Sequence, residues 1–502
     1  MYIGLDVGTS GCKAAVIGES GQILAVASRE YAFEFPKPGW VELNPRTVWA
    51  AVLEALRGIA HAAGGARAIA VSSIGESLIL LDENDEPLTN AIVYLDTRAA
   101  GAVEEVRARF DPEALYRITG VPVNQMYSLS KLLWMKAHRP DLLERARRIF
   151  LFGDYLTYKL SGERVVDPAT ASRTMFFDIG SLAWSEEVLR RFGLSSEPYS
   201  EVSATGTLAG RILPSIAFEC GLPKELQVVV GAHDQVAATL GSGVIEPGDL
   251  LMGEGSTESL NLVVDAARIR RELLFRHQIC MEPFIDPGRY IMPVGQLSHG
   301  TSIKWFVQSH QSEYAAAAAD GRSLYAVADD LCAGDCGNLY FLPYLSGVNC
   351  MDAVSRAPAC FIGVDCDTTV HTMYRAVLEG LSFETRSNMR LFDEANVPVR
   401  RIVASGGGAK SKLFMQIKAD VLEKSIATLD SADSGVMGLA MVCAKALGDI
   451  ASYSDAAHAF VRVREGIAPG RDYGVRCAEY QRIAAALKAL FRADPAQPSL
   501  KS

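Results

Sequence analysis

A largely apolar run, Leu226–Val230, leads into Gly231-Ala232-His233-Asp234-Gln235, and a helix-like segment, Gln235–Leu240, follows at once. A strand that passes directly into a helix belongs in an open α/β sheet, and it sets Asp234 where a strand's carboxyl end meets a helix's amino end, a common ligand position in such sheets. Unpaired backbone N–H groups and the positive helix end favour negative charge there. Two roles fit an aspartate so placed: a helix N-cap, or a base that takes a proton from a substrate hydroxyl.

The amino terminus reads as consecutive strands, Tyr2–Val7, Cys12–Ile17 and Ile23–Ser28, rich in β-branched and apolar residues and separated by small turns. Asn44-Pro45 then opens a helix reaching about His61. Strands Ala68–Ser73 and Leu78–Asp82 flank Ile74-Gly75-Glu76-Ser77, and helical segments fill 99–110, 128–138 and 153–160. The opening theme recurs from residue 248. Leu250–Gly253, a turn Glu254-Gly255-Ser256-Thr257-Glu258 and Ser259–Val264 read as strand, small-residue turn, strand, which hints at a duplicated fold with a boundary near Gly243–Gly248. A further βα unit follows: strand Arg401–Ser405, a turn Gly406-Gly407-Gly408, and helix Lys412–Lys424, whose Leu413, Phe414, Ile417, Val421 and Leu422 give it one buried face. The small-residue helix Ser434–Leu447 is expected to pack closely.

With 502 residues the chain is too long for one ordinary core, so two large domains are expected. A formal charge of −10 argues against a dedicated nucleic-acid binder, which carries a basic footprint. A small anionic ligand stays open, because local backbone dipoles hold phosphate without net positive charge. No apolar run reaches membrane-span length. The first residues carry no basic n-region, and the ten cysteines show neither zinc-knuckle nor Cys-x-x-Cys spacing, so reduced thiols in a cytoplasmic protein are the expectation.

Three segments carry chemistry. In Asp6-Val7-Gly8-Thr9, glycine lets backbone N–H groups turn toward a phosphate, threonine adds a hydroxyl, and the carboxylate suits Mg²⁺; an ordinary hairpin turn is the alternative. Lys13, on the next strand, is either a solvated face residue or a phosphate neighbour. Gly406-Gly407-Gly408 before a helix amino end offers close approach for a nucleotide, although it is neither a Rossmann G-x-G-x-x-G nor a Walker loop. The eight histidines lack metal-ligand spacing; His299 alone stands as a candidate pocket residue.

Taken in order, these segments resemble the FGGY carbohydrate kinases, in the superfamily of hexokinase, actin and the heat-shock ATPases. Gly4-Leu5-Asp6-Val7-Gly8-Thr9-Ser10 is similar to the family's opening phosphate hairpin. Pro38-Gly39-Trp40-Val41-Glu42 resembles its early loop. Tyr94-Leu95-Asp96-Thr97-Arg98 resembles a tryptophan-x-aspartate-x-arginine segment, with tyrosine replacing tryptophan. Residues 126–135 and 359–379 are close to the two family signatures. The resemblance implies two ribonuclease-H-like, actin-like ATPase domains with an interdomain active-site cleft: 1–245 for sugar binding and catalysis, 246–502 for the nucleotide. It implies Asp234 as catalytic base, Gln235 as its substrate-binding neighbour, and Glu76, Ser77 and Asp96 as further sugar contacts. Asp6 is the magnesium-associated acid. Gly8, Thr9, Ser10, Lys13, Gly255, Ser256 and Thr257 serve the phosphates, and Gly407 and Gly408 the adenosine. ATP and Mg²⁺ are the implied partners of a small ketose or polyol, a pentulose such as xylulose or ribulose favoured, with no nucleic acid or membrane and room for a homodimer. A glycerol- or tetritol-type kinase and a non-catalytic ATP-switched actin-like protein are the alternatives. The segment Gly75-Glu76-Ser77 departs from both the xylulose and the glycerol patterns, so it leaves the sugar open. Read from the residues alone, Glu76 between two apolar strands either faces solvent or serves a polar ligand, since an isolated buried carboxylate is costly.

Overall fold

The computed structural model describes residues 1–318, 321–332, 334–348, 357–430, 433–464 and 466–491. The chain divides into two compact units. The first holds Met1–Pro247, Val263–Met292 and Asp433–Arg462; the second holds Gly248–Leu262 and the described residues of 293–432 and 463–491. Two later segments thus group with the amino-terminal unit, which a cut at one point of the chain does not describe.

In the first unit β1 (Tyr2–Val7), β2 (Gly11–Ile17), β3 (Ile23–Glu30), β4 (Ala68–Ser73), β5 (Leu208–Arg211) and β6 (Gln227–His233) form one sheet in the order β5-β6-β4-β1-β2-β3. β1 pairs antiparallel with β2 and parallel with β4, and β4 parallel with β6. β4 is buried along its whole length, as a central parallel strand covered on both faces must be. β3 alternates half-buried with exposed residues and forms the edge. Helix α1 (Pro45–Ile59) starts where Pro45 and the Asn44 side chain, which accepts from the Arg46 and Thr47 N–H groups, satisfy its first turn. Its buried stripe, Val48, Val52, Leu56 and Ile59, packs on β2 and β3. Helices α2 (Ser128–His138), α3 (Phe152–Ser161), α4 (Pro168–Ser172) and α5 (Asp234–Gly241) complete the part of this unit that matters below.

The second unit repeats the plan. β7 (Asp249–Glu254), β8 (Glu258–Asp265), β9 (Arg289–Gln296), β10 (Arg401–Gly406) and β11 (Ile426–Thr428) lie in the order β9-β8-β7-β10-β11, the residues of β8 from Val263 and of β9 up to Met292 being grouped with the first unit. β7 is antiparallel to β8 and parallel to β10, which is parallel to β11. This matches β3-β2-β1-β4-β6, so the echo heard at residue 248 is a repeated topology. Helices α6 (His299–Ser309), α7 (Val370–Glu394) and α8 (Lys412–Leu422) belong to this unit.

The chain then returns to the first unit with α9 (Ser434–Ala446), which packs on β1 and α5. The expected close packing is real. A Cβ at Gly438 would fall on the Ala237 carbonyl oxygen, one at Gly241 on that of Ser434, and one at Gly4 would lie 2.5 Å from that of Val436. Only small residues let two helix backbones and a strand approach so closely.

Candidate active site

The strand expected to end at Val230 continues to His233. Its register against β4 shifts between Val229 and Ala232, and a Cβ at Gly231 would land on the Val71 carbonyl, so this step needs glycine. His233 therefore holds the N-cap position of α5 and Asp234 is its first residue, with no capping bond from the His233 side chain. The N-cap role for Asp234 is thereby excluded. Its carboxylate is half-buried, with Oδ1 3.2 Å from His233 Nε2. Burial raises its pKa, the nearby Glu76 and Glu282 carboxylates add to the rise, and His233 opposes it.

Behind Asp234 lies a buried ionic network. Arg173 donates from Nε to Glu76 Oε1 at 2.9 Å and from a terminal nitrogen to the same oxygen, while its other terminal nitrogen donates to Glu282 Oε1 at 2.6 Å. Glu282 Oε2 lies 2.9 Å from His233 Nδ1. Glu76, Arg173, His233 and Glu282 are all buried. Glu76 thus neither faces solvent nor stands isolated. Burial opposes its charge, and Arg173, His233 and Lys131 together outweigh burial, holding it below the usual carboxylate range. Gly75 makes this possible: a Cβ there would sit 2.6 Å from Arg173 Cγ and 3.2 Å from His233 Nε2. Lys131, buried on α2, donates to the Glu76 carbonyl at 3.1 Å, and burial pulls its pKa down to about 7. Ser77 is buried next to Glu76, and Gln235 is half-buried next to Asp234. Asp96 is committed elsewhere. Its oxygens accept from Val41 N at 2.6 Å, from Arg98 N at 2.8 Å and from the Arg98 guanidinium at 2.7 Å, and that guanidinium stacks 3.7 Å from the Trp40 ring centroid. It holds the loop 39–42 in place.

Asp6, at the end of β1, pairs in register with Lys13 and with Ser72, whose Oγ donates to Asp6 Oδ1 at 2.6 Å. Lys13 Nζ is 2.5 Å from Asp433 Oδ1. Gly8 N–H closes the turn on the Gly11 carbonyl, and the Tyr31 hydroxyl donates to Gly8 O at 2.7 Å. Thr9 is half-exposed and Ser10 exposed at the tip. Carboxylate and hydroxyl oxygens are the donors a hard divalent cation takes. Burial, with the Asp234 and Asp433 charges added and Ser72 opposing, raises the Asp6 pKa to about 6. A carboxyl raised above its unfolded value stabilises the fold below that unfolded value and loses this as pH rises through the folded pKa. Asp6→Asn should therefore melt higher than the parent at about pH 8, with the gap closing below about pH 4, in thermal scans across pH. A gap independent of pH would remove the buried-charge account.

In the second unit, Gly255, Ser256 and Thr257 form an exposed turn, anchored where Gly300 N and Thr301 N donate to the Gly255 and Ser256 carbonyls, both at 3.1 Å. Gly255 and Ser256 line a cavity of about 500 Å³ together with Gly407, Gly408 and Lys410; Thr257 is not among the lining residues. Below the turn, Lys418, fully buried, bonds Glu254 Oε1 at 2.6 Å and also Glu258, and His299 Nε2 lies 2.6 Å from Glu254 Oε2. His299 is thus a core residue bonded between Glu254 and Gln296, and the pocket role is corrected. The trio Glu254, Glu258 and His299 has the donor atoms of a metal site, but the Lys418 ammonium already supplies the cation. Arg173 and Glu282 escaped the sequence reading, being lone charges with partners far along the chain, while His233 and Lys131 stood inside motifs that were read without giving them a role. Lys418 had a signal: it follows Phe414 by four residues and precedes Val421 by three, on the buried face of α8.

Residues 1–241 match the model of the FGGY family of carbohydrate kinases, N-terminal domain, and 260–447 that of the C-terminal domain. A xylulose kinase of Staphylococcus xylosus is 27% identical over 474 residues, 93% of this chain and 95% of that protein. A gluconokinase of Bacillus subtilis (strain 168) is 28% identical over 467 residues, 90% of this chain and 88% of that one. The crystal structure of a gluconate kinase from Lactobacillus acidophilus superposes with a TM-score of 0.85 at 25% identity, covering 98% of both chains. Among the described residues no helix is long and apolar enough to cross a membrane. With both family domains matched in order across most of its length, this chain belongs to the FGGY family of carbohydrate kinases and is a phosphotransferase.

Proposed function

We propose that the protein transfers a phosphoryl group from ATP to a hydroxyl of a small neutral ketose or polyol, a pentulose such as xylulose or ribulose before others. The observation that carries this reading is Asp234: a half-buried carboxylate at the head of α5, with one oxygen toward His233. Asp234 takes the proton of the attacking hydroxyl, while Gln235, Glu76 and Ser77 orient the sugar. The first unit serves sugar and catalysis, and the second the nucleotide. The glycine-lined cavity of about 500 Å³ suits ATP, with Gly407 and Gly408 beside the adenosine and Gly255, Ser256 and Thr257 toward the phosphates. The oxygen donors around Asp6 fit Mg²⁺, with Gly8, Thr9, Ser10 and Lys13 toward the phosphate side. Mg²⁺ neutralises phosphate charge, and phosphoryl transfer asks mainly for such positioning and charge stabilisation.

The gluconokinase relatives raise an acidic sugar as a second reading. The charges around Asp234 favour a neutral one: Arg173 is shared by Glu76 and Glu282, His233 lies between Glu282 and Asp234, and Lys13 is paired with Asp433. An aldonate would have to displace one of these pairs, at the cost of a buried charge. An ADP-release screen over pentuloses, hexuloses, glycerol, tetritols, pentitols and gluconate tests the reading. Sugar-stimulated ADP should be fastest with a neutral ketose or polyol; gluconate leading the series would overturn neutrality, and no stimulation by any would overturn the substrate class.

Glu76→Gln keeps the size while losing the charge that meets sugar hydroxyls. A hydrogen bond to a charged group contributes enough that sugar kcat/KM should fall roughly 10–100-fold, with the KM for ATP unchanged. Equal losses for both substrates would mark Glu76 as purely structural.

A further inference from the structure

The first unit contains a chain of side chains whose role the phosphotransfer reading leaves open. His233 sits with Nε2 3.2 Å from Asp234 Oδ1 and Nδ1 2.9 Å from Glu282 Oε2. Glu282 is in turn fixed at Oε1 by Arg173 at 2.6 Å. Histidine, Glu282 and Arg173 are buried, so this order is held away from water. The imidazole cannot readily leave its place. It stands at the strand's last residue, and Gly75 on one side keeps the space beside Nε2 just open.

We propose that His233, held from behind by Glu282, is the positioning residue of the base: it fixes Asp234 Oδ1 and leaves Oδ2 for the acceptor hydroxyl. The proposal rests on the reading of Asp234 as base. With a carboxylate opposite each ring nitrogen, both nitrogens donate, and the ring is an imidazolium. The charged groups that face it are Glu282, Asp234, Arg173, Glu76 and Asp167, which accepts from its backbone N–H. Burial opposes the positive charge, yet Glu282 and Asp234 outweigh it and push the histidine up to about 9. The cation answers a difficulty of this site. Burial, Glu76 and Glu282 all push Asp234 toward its protonated, useless form, and His233 is the group opposing them most strongly. In the reaction the hydroxyl O–H bond breaks and its proton passes to Asp234. The oxygen bonds to the γ-phosphorus, the bond from that phosphorus to ADP breaks, and Asp234 later releases its proton to water. His233 keeps both of its protons throughout.

The test is a set of pH–rate profiles with ATP, Mg²⁺ and the best sugar of the screen. The parent's kcat/KM should fall on the alkaline side near pH 9, where the imidazolium loses its proton. Glu282→Gln removes the partner that raises the histidine most, so this limb should move down by about one pH unit or more. His233→Gln keeps a neutral donor that does not titrate, so the limb should vanish while kcat at neutral pH drops only about 10-fold. His233→Leu should lower kcat about 100-fold, leave the KM for ATP in place and move the acid limb upward as Asp234 loses its cation. An alkaline limb shared unchanged by the parent and His233→Gln would overturn the proposal, and so would His233→Leu turning over within a few-fold of the parent. Should Glu282→Gln fail to fold, the glutamine variant decides alone. An Asp234→Asn variant at full activity would instead sink the base itself. Loss of activity there, with His233→Gln leaving the profile untouched, would sink only the role of His233.

Discussion

Asp234→Asn should fold, keep its nucleotide affinity and phosphorylate sugar about 10²–10⁴-fold more slowly, the range a general base contributes. Asparagine has the same shape and sits as readily at the first position of α5, so the helix should not suffer. What it loses is the capacity to accept the hydroxyl proton. Because the asparagine amide oxygen can still accept from the Gln235 N–H, as the Asp234 carboxylate does, the variant separates chemistry from architecture. Single-turnover kinetics with pre-bound ATP would read the chemical step directly. Turnover within a few-fold of the parent would leave Asp234 without a role in proton transfer.

The second large effect is on stability. Lys418→Met leaves Glu254 and Glu258 facing one another in the core without their shared ammonium. Breaking a buried pair by removing one partner costs about 3–5 kcal/mol. In the parent, Lys418 and His299 hold Glu254 down at about 2 despite burial, so this carboxylate stays ionised across the working range. In the variant the two carboxyls should take up protons, and the deficit should shrink as pH falls. Melting curves across pH check this, with Lys418→Met/Glu254→Gln/Glu258→Gln as the partner variant that restores neutrality. A single variant that melts like its parent would mean that the cluster reorganises at no cost.

The elements that align the candidate site were legible because each is a local pattern. Strands Tyr2–Val7 and Ala68–Ser73 and helix 128–138 coincide with the expected ranges, each set by apolar periodicity and a turn or breaker at its ends. The strand into Asp234 was read three residues short, because Gly231-Ala232 looks like a turn and is instead a register shift in a continuing strand. Side-chain partners were not legible. Arg173 finds Glu76 and Glu282 97 and 109 residues away, and nothing local announces either contact. Asp96 shows the same limit from the other side: in a motif that reads as a ligand contact, its oxygens accept from the neighbouring Arg98 and a backbone amide. Residue type and spacing suggest which chemistry a carboxylate could perform; only its neighbours decide whether the oxygens remain available.

Helix α9 has a consequence for how the protein is made. It covers β1 and α5, yet its last residue is translated roughly 200 residues after the first unit's opening segment is complete, a wait of about 10–40 s at ordinary elongation rates. Through that interval the nascent sheet lies on the ribosome with the contact surface of Gly4, Ala237 and Gly241 bare. The amino-terminal unit is thus not one that can fold and be set aside as it emerges. Synonymous codons that slow the stretch between residues 248 and 433 would lengthen that exposure without altering a single amino acid.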